Sequence, residues 1–226
     1  VEFKIVRNND SEIIIRNPSE IEKYTDIKHL MEKYCEVNLL FPKEYLGSIM
    51  QLLSEKRGTQ EDLNYLSTSM VKVRYKLPLL ELVSGFYDTL KSISQGFASL
   101  DYEILDFEKG NLVKLDILVN GQIIDSFSSI LAKENAEFVG RNRVKKLSEL
   151  IPRQQFDIPI QAAVGSRIIA RETIKALRKD VTAKLYGGDV TRKRKLLEKQ
   201  KEGKKKMRQI GKVNVPKEAF RDFLKQ

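Results

Sequence analysis

Alternating and helical runs of apolar residues follow one another at regular lengths between residues 34 and 107. Runs of period two rich in β-branched and aromatic residues indicate strands, and apolar positions three and four apart indicate helices. The predicted elements are, in order, strand Tyr34–Phe41, helix Pro42–Arg57, strand Gln60–Ser67, strand Met70–Lys76, a helix from Pro78 or Leu79 to Ile93, and strand Ser99–Phe107. This β-α-β-β-α-β order predicts a split βαβ, or ferredoxin-like, domain.

The ends and faces of these helices can be predicted in more detail. Each helix is expected to stop at a glycine, the first at Gly58 and the second at Gly96. The second helix is expected to turn one apolar face to the core, formed by Leu80, Val83, Phe86, Tyr87 and Leu90. Ahead of the first strand, Val1–Ile15 is predicted to be a hairpin or the remainder of a preceding module, and Ile21–His29 a linker or a short helix.

The second half of the chain is also mixed. An Asn120-Gly121 turn between apolar runs is a strong hairpin signal. The predicted elements are strands Leu112–Val119 and Gln122–Ser126, helix Asn135–Leu150, strands around a turn within Phe156–Ile168, helix Ala170–Lys184, and a closing helix from Val215. The fold class is therefore α+β, with a ferredoxin-like domain followed by a second α+β domain that ends in a basic helical segment.

Composition narrows the classes of protein that the chain can belong to. No apolar run reaches the roughly 18–20 residues of a membrane span, and the first residues, which lack a basic segment and an apolar run, are not expected to be a signal peptide. Because the chain starts at Val1 without Met, we expect it to be part of a longer protein. The single cysteine, Cys35, is expected in the core, and with only one histidine, His29, a zinc site of the usual Cys/His kind is not expected.

Charge is distributed unevenly along the chain. Residues 1–110 hold 14 Lys and Arg against 18 Asp and Glu, a net charge of −4, whereas residues 111–226 hold 27 against 13, a net charge of +14. A polybasic segment on a nearly neutral body is typical of proteins that bind nucleic acid or an anionic membrane.

The densest basic stretch runs from residue 192 to residue 212. It contains two acids and eleven basic residues: Arg192, Lys193, Arg194, Lys195, Lys199, Lys201, Lys204, Lys205, Lys206, Arg208 and Lys212. Such a segment repels itself and is expected to be mobile until phosphates neutralise it. It lacks aromatic rings for stacking bases and the apolar face of an interfacial membrane helix, so recognition of a folded RNA backbone is favoured.

Two alternatives stay open beside RNA binding. The basic stretch could be a solvated, lysine-rich surface helix, or it could bind anionic lipid at roughly 1 kcal/mol for each Lys or Arg. The preceding Gly187-Gly188 pair could place backbone N–H groups beside a phosphate, or it could serve as a plain hinge.

Catalytic motifs are missing from the sequence. Neither a nucleotide-binding Gly-rich loop, nor a nucleophile elbow, nor a paired-histidine motif occurs. We therefore expect this chain to be neither an enzyme nor a carrier of a cofactor or metal.

Several blocks of sequence resemble known translation factors. Cys35–Gly58, with Pro42, Tyr45, Gly47 and Arg57, and Leu90–Glu103 resemble the fifth domain of translational GTPases of the elongation-factor-G type. Leu150–Val164, Ile168–Asp189 and Arg192–Gly211 resemble the specific carboxy-terminal domain of the LepA, or elongation factor 4, family. On this resemblance, residues 1–30 are the end of a preceding module and a linker, 31–110 the fifth domain and 111–226 the LepA-specific domain.

The resemblance implies a function and a set of site residues. A member would be a ribosome-dependent GTPase that acts on translocation, fidelity or ribosome biogenesis, with GTP and Mg²⁺ held by a domain outside this chain. The partners implied are large-subunit rRNA, the stalk base and tRNA, for a monomer in the cytoplasm or an organelle, or at the inner face of the cell membrane. The RNA-binding residues implied are Arg153, Gly187, Gly188, Arg192, Lys193, Arg194, Lys195, Lys199, Lys201, Lys204, Lys205, Lys206 and Arg208.

Overall fold

The computed structural model describes residues 1–21, 24–177, 182, 190–210, 213 and 215–224. The chain divides into two compact units, Val1–Leu112 and Val113–Gln226, called unit 1 and unit 2 below. Both units contain helices and antiparallel strands, so the predicted α+β class is confirmed. One-turn 3-10 segments lie at Pro18–Glu20, Tyr24–Asp26, Lys43–Tyr45, Asp125–Phe127 and Lys133–Asn135.

Unit 1 is built on a six-stranded antiparallel sheet. Its strands are β1 (Phe3–Arg7), β2 (Glu12–Ile15), β3 (Ile27–Pro42), β4 (Thr59–Tyr65), β5 (Met70–Pro78) and β6 (Ser99–Gly110). The order β6-β3-β5-β4 is that of a ferredoxin-like sheet, as predicted, with helix α1 (Leu46–Glu55) in the first crossover. The predicted hairpin of β1 and β2 is confirmed, and β1 pairs with β3.

Strand β3 begins earlier than its sequence pattern indicates. The prediction of a linker or helix over Ile21–His29 is wrong from Ile27 onward, because β1 pairs with this part of β3 along one edge. The buried positions change phase at a bulge between Lys33 and Cys35, from Leu30 and Glu32 to Cys35, Val37 and beyond. This phase change hides the strand from a simple period-two pattern.

The first helix is shorter than the predicted Pro42–Arg57: Pro42 ends β3, and α1 ends at Glu55. Gly58 follows it closely, as expected, but a different residue takes the left-handed conformation. Arg57 has φ 57°, and the N–H of Gly58 donates to the carbonyl oxygen of Leu53 at 2.8 Å. A side chain at Gly58 would bring its Cβ to 2.7 Å from that same oxygen. Glycine is therefore needed at position 58 for close approach rather than for its own backbone angle.

The second predicted helix is broken. It consists of α2 (Leu79–Glu81), a wide turn over Leu82–Phe86, and α3 (Tyr87–Ile93), because Ser84 and Gly85 leave the helical region and Gly85 has φ 72°. The break rotates the following turn, so the prediction that Val83 and Tyr87 face the core is wrong. Both are more than half exposed, at 60% and 52%, whereas Phe86 and Leu90 are fully buried.

Buried polar groups tie the elements of unit 1 together. The Arg57 guanidinium donates to both oxygens of Glu32, at 2.6 and 3.0 Å, and to Glu81 at 2.9 Å. Burial acts to lower the pKa of Arg57, but the bonds and charges of Glu32 and Glu81 outweigh it and raise the pKa. Cys35 is a core residue, as predicted: it is fully buried, and burial raises the pKa of its thiol to about 11.

Unit 2 is built on a five-stranded antiparallel sheet in the order β11-β10-β7-β8, with β9 also paired to β7. Its strands are β7 (Leu112–Val119), β8 (Gln122–Ile123), β9 (Ser129–Ala132), β10 (Ile158–Val164) and β11 (Arg167–Ile174). The predicted Asn-Gly hairpin is confirmed, with φ 52° at Asn120 and 82° at Gly121, as a type I′ turn requires.

Helices cover one face of this sheet. Helix α4 (Ala136–Leu150), which matches the predicted helix, lies on β10 and β11, and α6 (Lys217–Leu224) is the predicted closing helix. The Phe127 ring stacks at 4.8 Å on Phe220 and lies 4.3 Å from Phe223. Helix α5 (Val190–Ile210) precedes α6.

The prediction of a helix over Ala170–Lys184 is wrong for its described part. Residues up to Ile174 belong to β11, because Ile158↔Ile174 and the pairs that follow continue the sheet. Ile174 is buried within this strand, and Leu177 is 47% exposed. The rest of the predicted helix lies largely outside the described residues.

Candidate nucleic-acid interface

The predicted basic stretch forms most of helix α5. Four side chains on one face of this helix are half-buried, and they recur three and four residues apart: Lys193, Leu196, Gln200 and Lys204. This face is the inner side of the helix. Lys193 and Lys204, both predicted to bind RNA, are therefore placed on a different side from the other described cations of α5.

The exposed cations of α5 form two stripes. Arg192, Lys195 and Lys199 are spaced at i, i+3 and i+7, which places them along one flank. The second flank is formed by Arg194, Lys201 and Lys205. Helical geometry puts Glu198 and Glu202 on the line between the two stripes. Positive charge therefore lies along both flanks of α5. An α-helix with its side chains is about 10–12 Å wide.

Acidic partners neutralise little of this charge. In the part of α5 whose side chains are described, the ion pair formed is Arg194 to Glu198, at 3.3 Å, with both side chains more than half exposed. Exposed i,i+4 pairs of this kind contribute only about 0.3–0.5 kcal/mol. The other exposed cations remain available to a polyanion.

Part of the predicted site cannot be placed. Gly187 and Gly188 lie outside the described residues, as does Lys212. The backbone of Lys206 and Arg208 continues α5, but their side chains are outside the described set. The choice between a phosphate-binding turn and a hinge at Gly187-Gly188 therefore stays open.

Arg153 lies apart from α5 along the chain, in a shallow groove of unit 2. The groove runs between the carboxy end of α4 and the end of β11, and its lining includes Ser148, Glu149, Arg153, Thr173 and Lys175. The Leu177 N–H donates to the Gln154 carbonyl oxygen at 2.8 Å, and the Ala176 N–H to Asp157 Oδ1 at 2.7 Å. These bonds hold the two segments that carry Arg153 and Lys175 together.

Lys175 is a residue that sequence reasoning missed. The predicted helix over Ala170–Lys184 gave it no relation to Arg153, whereas the end of β11 places both in one groove. Neither cation forms an ion pair with a carboxylate among the described residues. The signal that could have revealed it is the turn at Gly165 between β10 and β11, because a hairpin around this turn carries β11 as far as Ile174.

Two further properties of the described residues bear on function. They contain no group of three or more His, Cys, Asp or Glu side chains placed to hold a metal ion. No helix in the same described set is long and apolar enough to cross a membrane.

Comparison with known protein families assigns both units to one class. Residues 29–118 match the model of the elongation factor G C-terminus. Residues 119–225 match the model of the GTP-binding protein LepA C-terminus. Together the two matches cover residues 29–225, and both models describe the carboxy-terminal part of a translation factor.

Individual relatives narrow the class further. The chain is 51% identical over 223 residues to elongation factor 4 of Acetivibrio thermocellus and to that of Clostridium botulinum, and 50% identical to that of Clostridium tetani. Each match covers 99% of this chain and 37% of the relative's length. The chain therefore belongs to the LepA, or elongation factor 4, family of translation factors, and it corresponds to the carboxy-terminal part of its members.

A solved structure from Thermus thermophilus overlaps 36% of this chain and 12% of its own length at 21% identity, with a TM-score of 0.34. This likeness is too slight to support an argument about fold or function.

Proposed function

We propose that this chain is the ribosome- and tRNA-binding part of its translation factor, and that unit 2 binds RNA through phosphate contacts. The observation that carries the proposal is the pair of cationic stripes on α5, which lack acidic partners apart from Glu198 among the described side chains. Family membership supports a role on the ribosome.

The chemistry of the helix favours the backbone of folded RNA over its bases. Phosphate contacts give affinity without reading sequence, and α5 offers cations but no aromatic ring for stacking. The two cationic stripes of α5 suit two neighbouring stretches of RNA backbone, one on each flank of the helix. The groove of Arg153 and Lys175 supplies a separate phosphate contact on the same unit.

The activity of the whole factor is part of the proposal. The chain spans 37% of the length of its relatives, and its sequence carries no nucleotide-binding motif. We assign GTP hydrolysis, with bound GTP and Mg²⁺, to the part of the protein outside this chain. The expected result is that the chain alone gives no GTP turnover above background.

The cellular setting follows from the same proposal. A factor that binds ribosomes and tRNA is expected in the cytoplasm, as a monomer, where it acts on translocation, fidelity or ribosome assembly. No observation favours the alternative of an anionic-membrane module, since α5 has no apolar insertion face.

The test is charge reversal on α5 with a matched control on unit 1. We would replace Lys199, Lys201 and Lys205 with Glu, and compare this variant with the Lys43→Glu/Lys72→Glu/Lys109→Glu variant, which changes three exposed lysines of unit 1. Binding would be measured by co-sedimentation with purified ribosomes and by filter binding of tRNA at fixed salt.

The α5 variant is expected to lose on the order of a thousandfold in affinity, because each reversal removes a phosphate contact and adds repulsion. The unit 1 variant should lose much less. Equal losses in the two variants, or none in either, would contradict the proposal.

A further inference from the structure

One arginine of unit 2 lies partly inside the protein without a counter-charge. Arg143, on α4, is half-buried, and its Nε atom is fully buried and has no hydrogen-bond partner among the described residues. Its Nη1 donates to the hydroxyl of Ser129 on β9, and no carboxylate of a described residue pairs with it. Burial lowers the pKa of Arg143, although a guanidinium keeps its charge at neutral pH. Buried charges that lack a partner are costly and therefore rare.

Helix α6 covers this arginine. The guanidinium carbon of Arg143 lies 5.6 Å from the centre of the Phe223 ring, and Phe223 is itself buried. The same ring lies 4.3 Å from the Phe127 ring, and Phe220 stacks on Phe127 at 4.8 Å. An aromatic ring attracts a cation, but it does not supply the charge-assisted hydrogen bonds of a carboxylate or a phosphate. The helix therefore hides a positive charge that it does not neutralise.

The attachment of α6 is small enough to be reversible. The helix has eight residues, too few to persist in water without the contacts that hold it. It is held by apolar contacts of Ala219 and the two phenylalanine rings, whereas Glu218 and Arg221 are exposed. The desolvation of Arg143 and the ordering of the segment both oppose this docking. Release of α6 would remove both of these unfavourable terms.

The groups beneath α6 are suited to a phosphate. A guanidinium donates two parallel N–H bonds to phosphate oxygens, and a serine hydroxyl adds a further donor. Arg143 and Ser129 come from α4 and β9, two elements of the unit 2 body, so they stay in place when α6 leaves. Lys146 neighbours Arg143 on α4, is half-buried, and forms no ion pair with a described residue. A phosphate would supply the counter-charge that α6 lacks.

The cover is joined directly to the basic helix. Residues 211–216 separate the end of α5 from the start of α6, and Val213 and Val215 among them pack half-buried against the core of unit 2. Docked α6 therefore restrains the carboxy end of α5, and its release removes that restraint.

We propose that Arg143 and Ser129 form a phosphate-binding site that α6 covers, and that an RNA phosphate displaces the helix when unit 2 binds RNA. The inference rests on the proposed RNA binding, but it adds a contact outside α5 and the groove of Arg153, together with a change of shape. A ligand that binds only the uncovered form shifts the equilibrium toward that form.

Cysteine labelling measures the cover directly, because the one natural cysteine, Cys35, is fully buried in unit 1. Ala219→Cys places a thiol between α6 and the core, at a residue that is 2% exposed. Val144→Cys, at a residue of α4 that is 1% exposed, is the matched control for unfolding of the whole unit. The labelling rate would be measured with dithiodipyridine, which is uncharged, in the presence and absence of tRNA.

The two positions should respond differently. Without RNA, the thiol at position 219 should react about tenfold faster than that at position 144, because release of α6 alone exposes it. Saturating tRNA should raise the rate at position 219 several-fold and should not raise it at position 144. Equal rates at the two positions, or no increase with tRNA, would overturn the inference. An equal increase with potassium phosphate in place of tRNA would indicate a site for free anions and overturn the assignment to RNA.

Arg143→Met, combined with Ala219→Cys, separates a covered binding site from a purely structural arginine. If Arg143 only held α6 through the Phe223 ring, its loss should raise the labelling rate at position 219. On our proposal, loss of the buried charge should lower that rate several-fold and abolish the increase caused by tRNA. Arg141→Met, at a side chain that is 69% exposed and paired with Glu137, should change neither. A raised or unchanged rate in the Arg143 variant would contradict the inference.

Affinity for tRNA, measured by filter binding, tests the cover from the opposite direction. Phe223→Ala weakens the docking of α6 and should tighten tRNA binding up to about fivefold, since RNA no longer has to displace the helix. Arg143→Met should weaken binding about tenfold, and the double variant should keep this loss. Weaker binding by Phe223→Ala would overturn the inference, provided that slow labelling at position 144 shows that unit 2 is folded.

The outcomes separate the two proposals. If the unmodified chain binds no tRNA, both fail. If it binds tRNA and loses binding on reversal of the α5 lysines, but labelling at position 219 does not respond to tRNA, the covered site alone fails.

Discussion

The two units of this chain use their cations in opposite ways. Among the described residues, nine Lys or Arg side chains of unit 1 pair with a carboxylate, against four in unit 2. Unit 1 nevertheless has 14 Lys and Arg in its sequence and unit 2 has 27. Among the described side chains, most cations of unit 1 therefore pair with a carboxylate, and most cations of unit 2 do not.

This difference separates charges that fix a fold from charges that attract a ligand. Arg57 joins α1, β3 and α2 because it meets two carboxylates inside the protein. The exposed lysines of α5 make no such connection, and their mutual repulsion is relieved when phosphates approach. The same residue types thus serve structure in unit 1 and, on our proposal, recognition in unit 2.

The largest effect on unit 1 is expected from the buried ion pairs. Arg57→Met leaves Glu32, which is fully buried, without a counter-charge, and should lower the free energy of unfolding by about 3–5 kcal/mol. Urea unfolding followed by tyrosine fluorescence measures it, because seven of the eight tyrosines lie in unit 1.

Arg16→Met is the control for that experiment, because the Arg16 side chain is 81% exposed and pairs with Glu2 at the surface. It should cost less than about 1 kcal/mol. Similar losses for the two variants would show that the buried network does not stabilise unit 1 in the way described.

A smaller effect, on binding alone, is expected in the groove of unit 2. Arg153→Gln/Lys175→Gln should weaken tRNA binding about tenfold near 0.1 M salt and reduce the slope of log affinity against log salt by about one to two. Filter binding across a salt series measures both quantities. The matched variant Lys72→Gln/Lys109→Gln in unit 1 should change neither, and an unchanged slope in the groove variant would remove the groove from the interface.

The smallest expected effect tests the helical form of α5. Gly203 lies inside the helix with open space where a Cβ would be, so Gly203→Ala should favour the helix by about 0.5–1 kcal/mol and tighten RNA binding up to about fivefold. Gly47→Ala in α1, where a Cβ also meets nothing, should stabilise unit 1 without changing RNA binding. Circular dichroism measures the helix content and the stability, and filter binding measures the affinity for RNA. A gain in helix without tighter binding would argue against α5 binding as a helix.

Much of the fold could be predicted because local patterns decide it. The helix at Leu46–Glu55 and the Asn120-Gly121 hairpin follow from spacing and turn chemistry that act within a few residues. The start of β3 could not be predicted, because pairing with β1 and β6 creates it. The apolar spacing of Ala170, Ile174 and Leu177 fits a helix, but pairing with β10 makes the first part of it a strand.

The candidate site divides in the same way. The cations of α5 could be identified from composition, since no fold can hide so many charges in so few residues. Their distribution over an inner face and two outer stripes could not be predicted, because it follows from which side chains of α5 are buried in the structure. Lys175 was missed because its segment was predicted to be a helix, whereas the residue directly follows the strand β11.

The most direct test of the account is a potassium chloride titration of tRNA binding by this chain. If the open cations of unit 2 meet six or more phosphates, affinity should fall by roughly a thousandfold or more between about 50 and 200 mM salt, and the α5 charge-reversal variant should show a much shallower dependence. An affinity that stays constant over this range, or a dependence that the variant shares in full, would contradict the claim that these charges bind RNA.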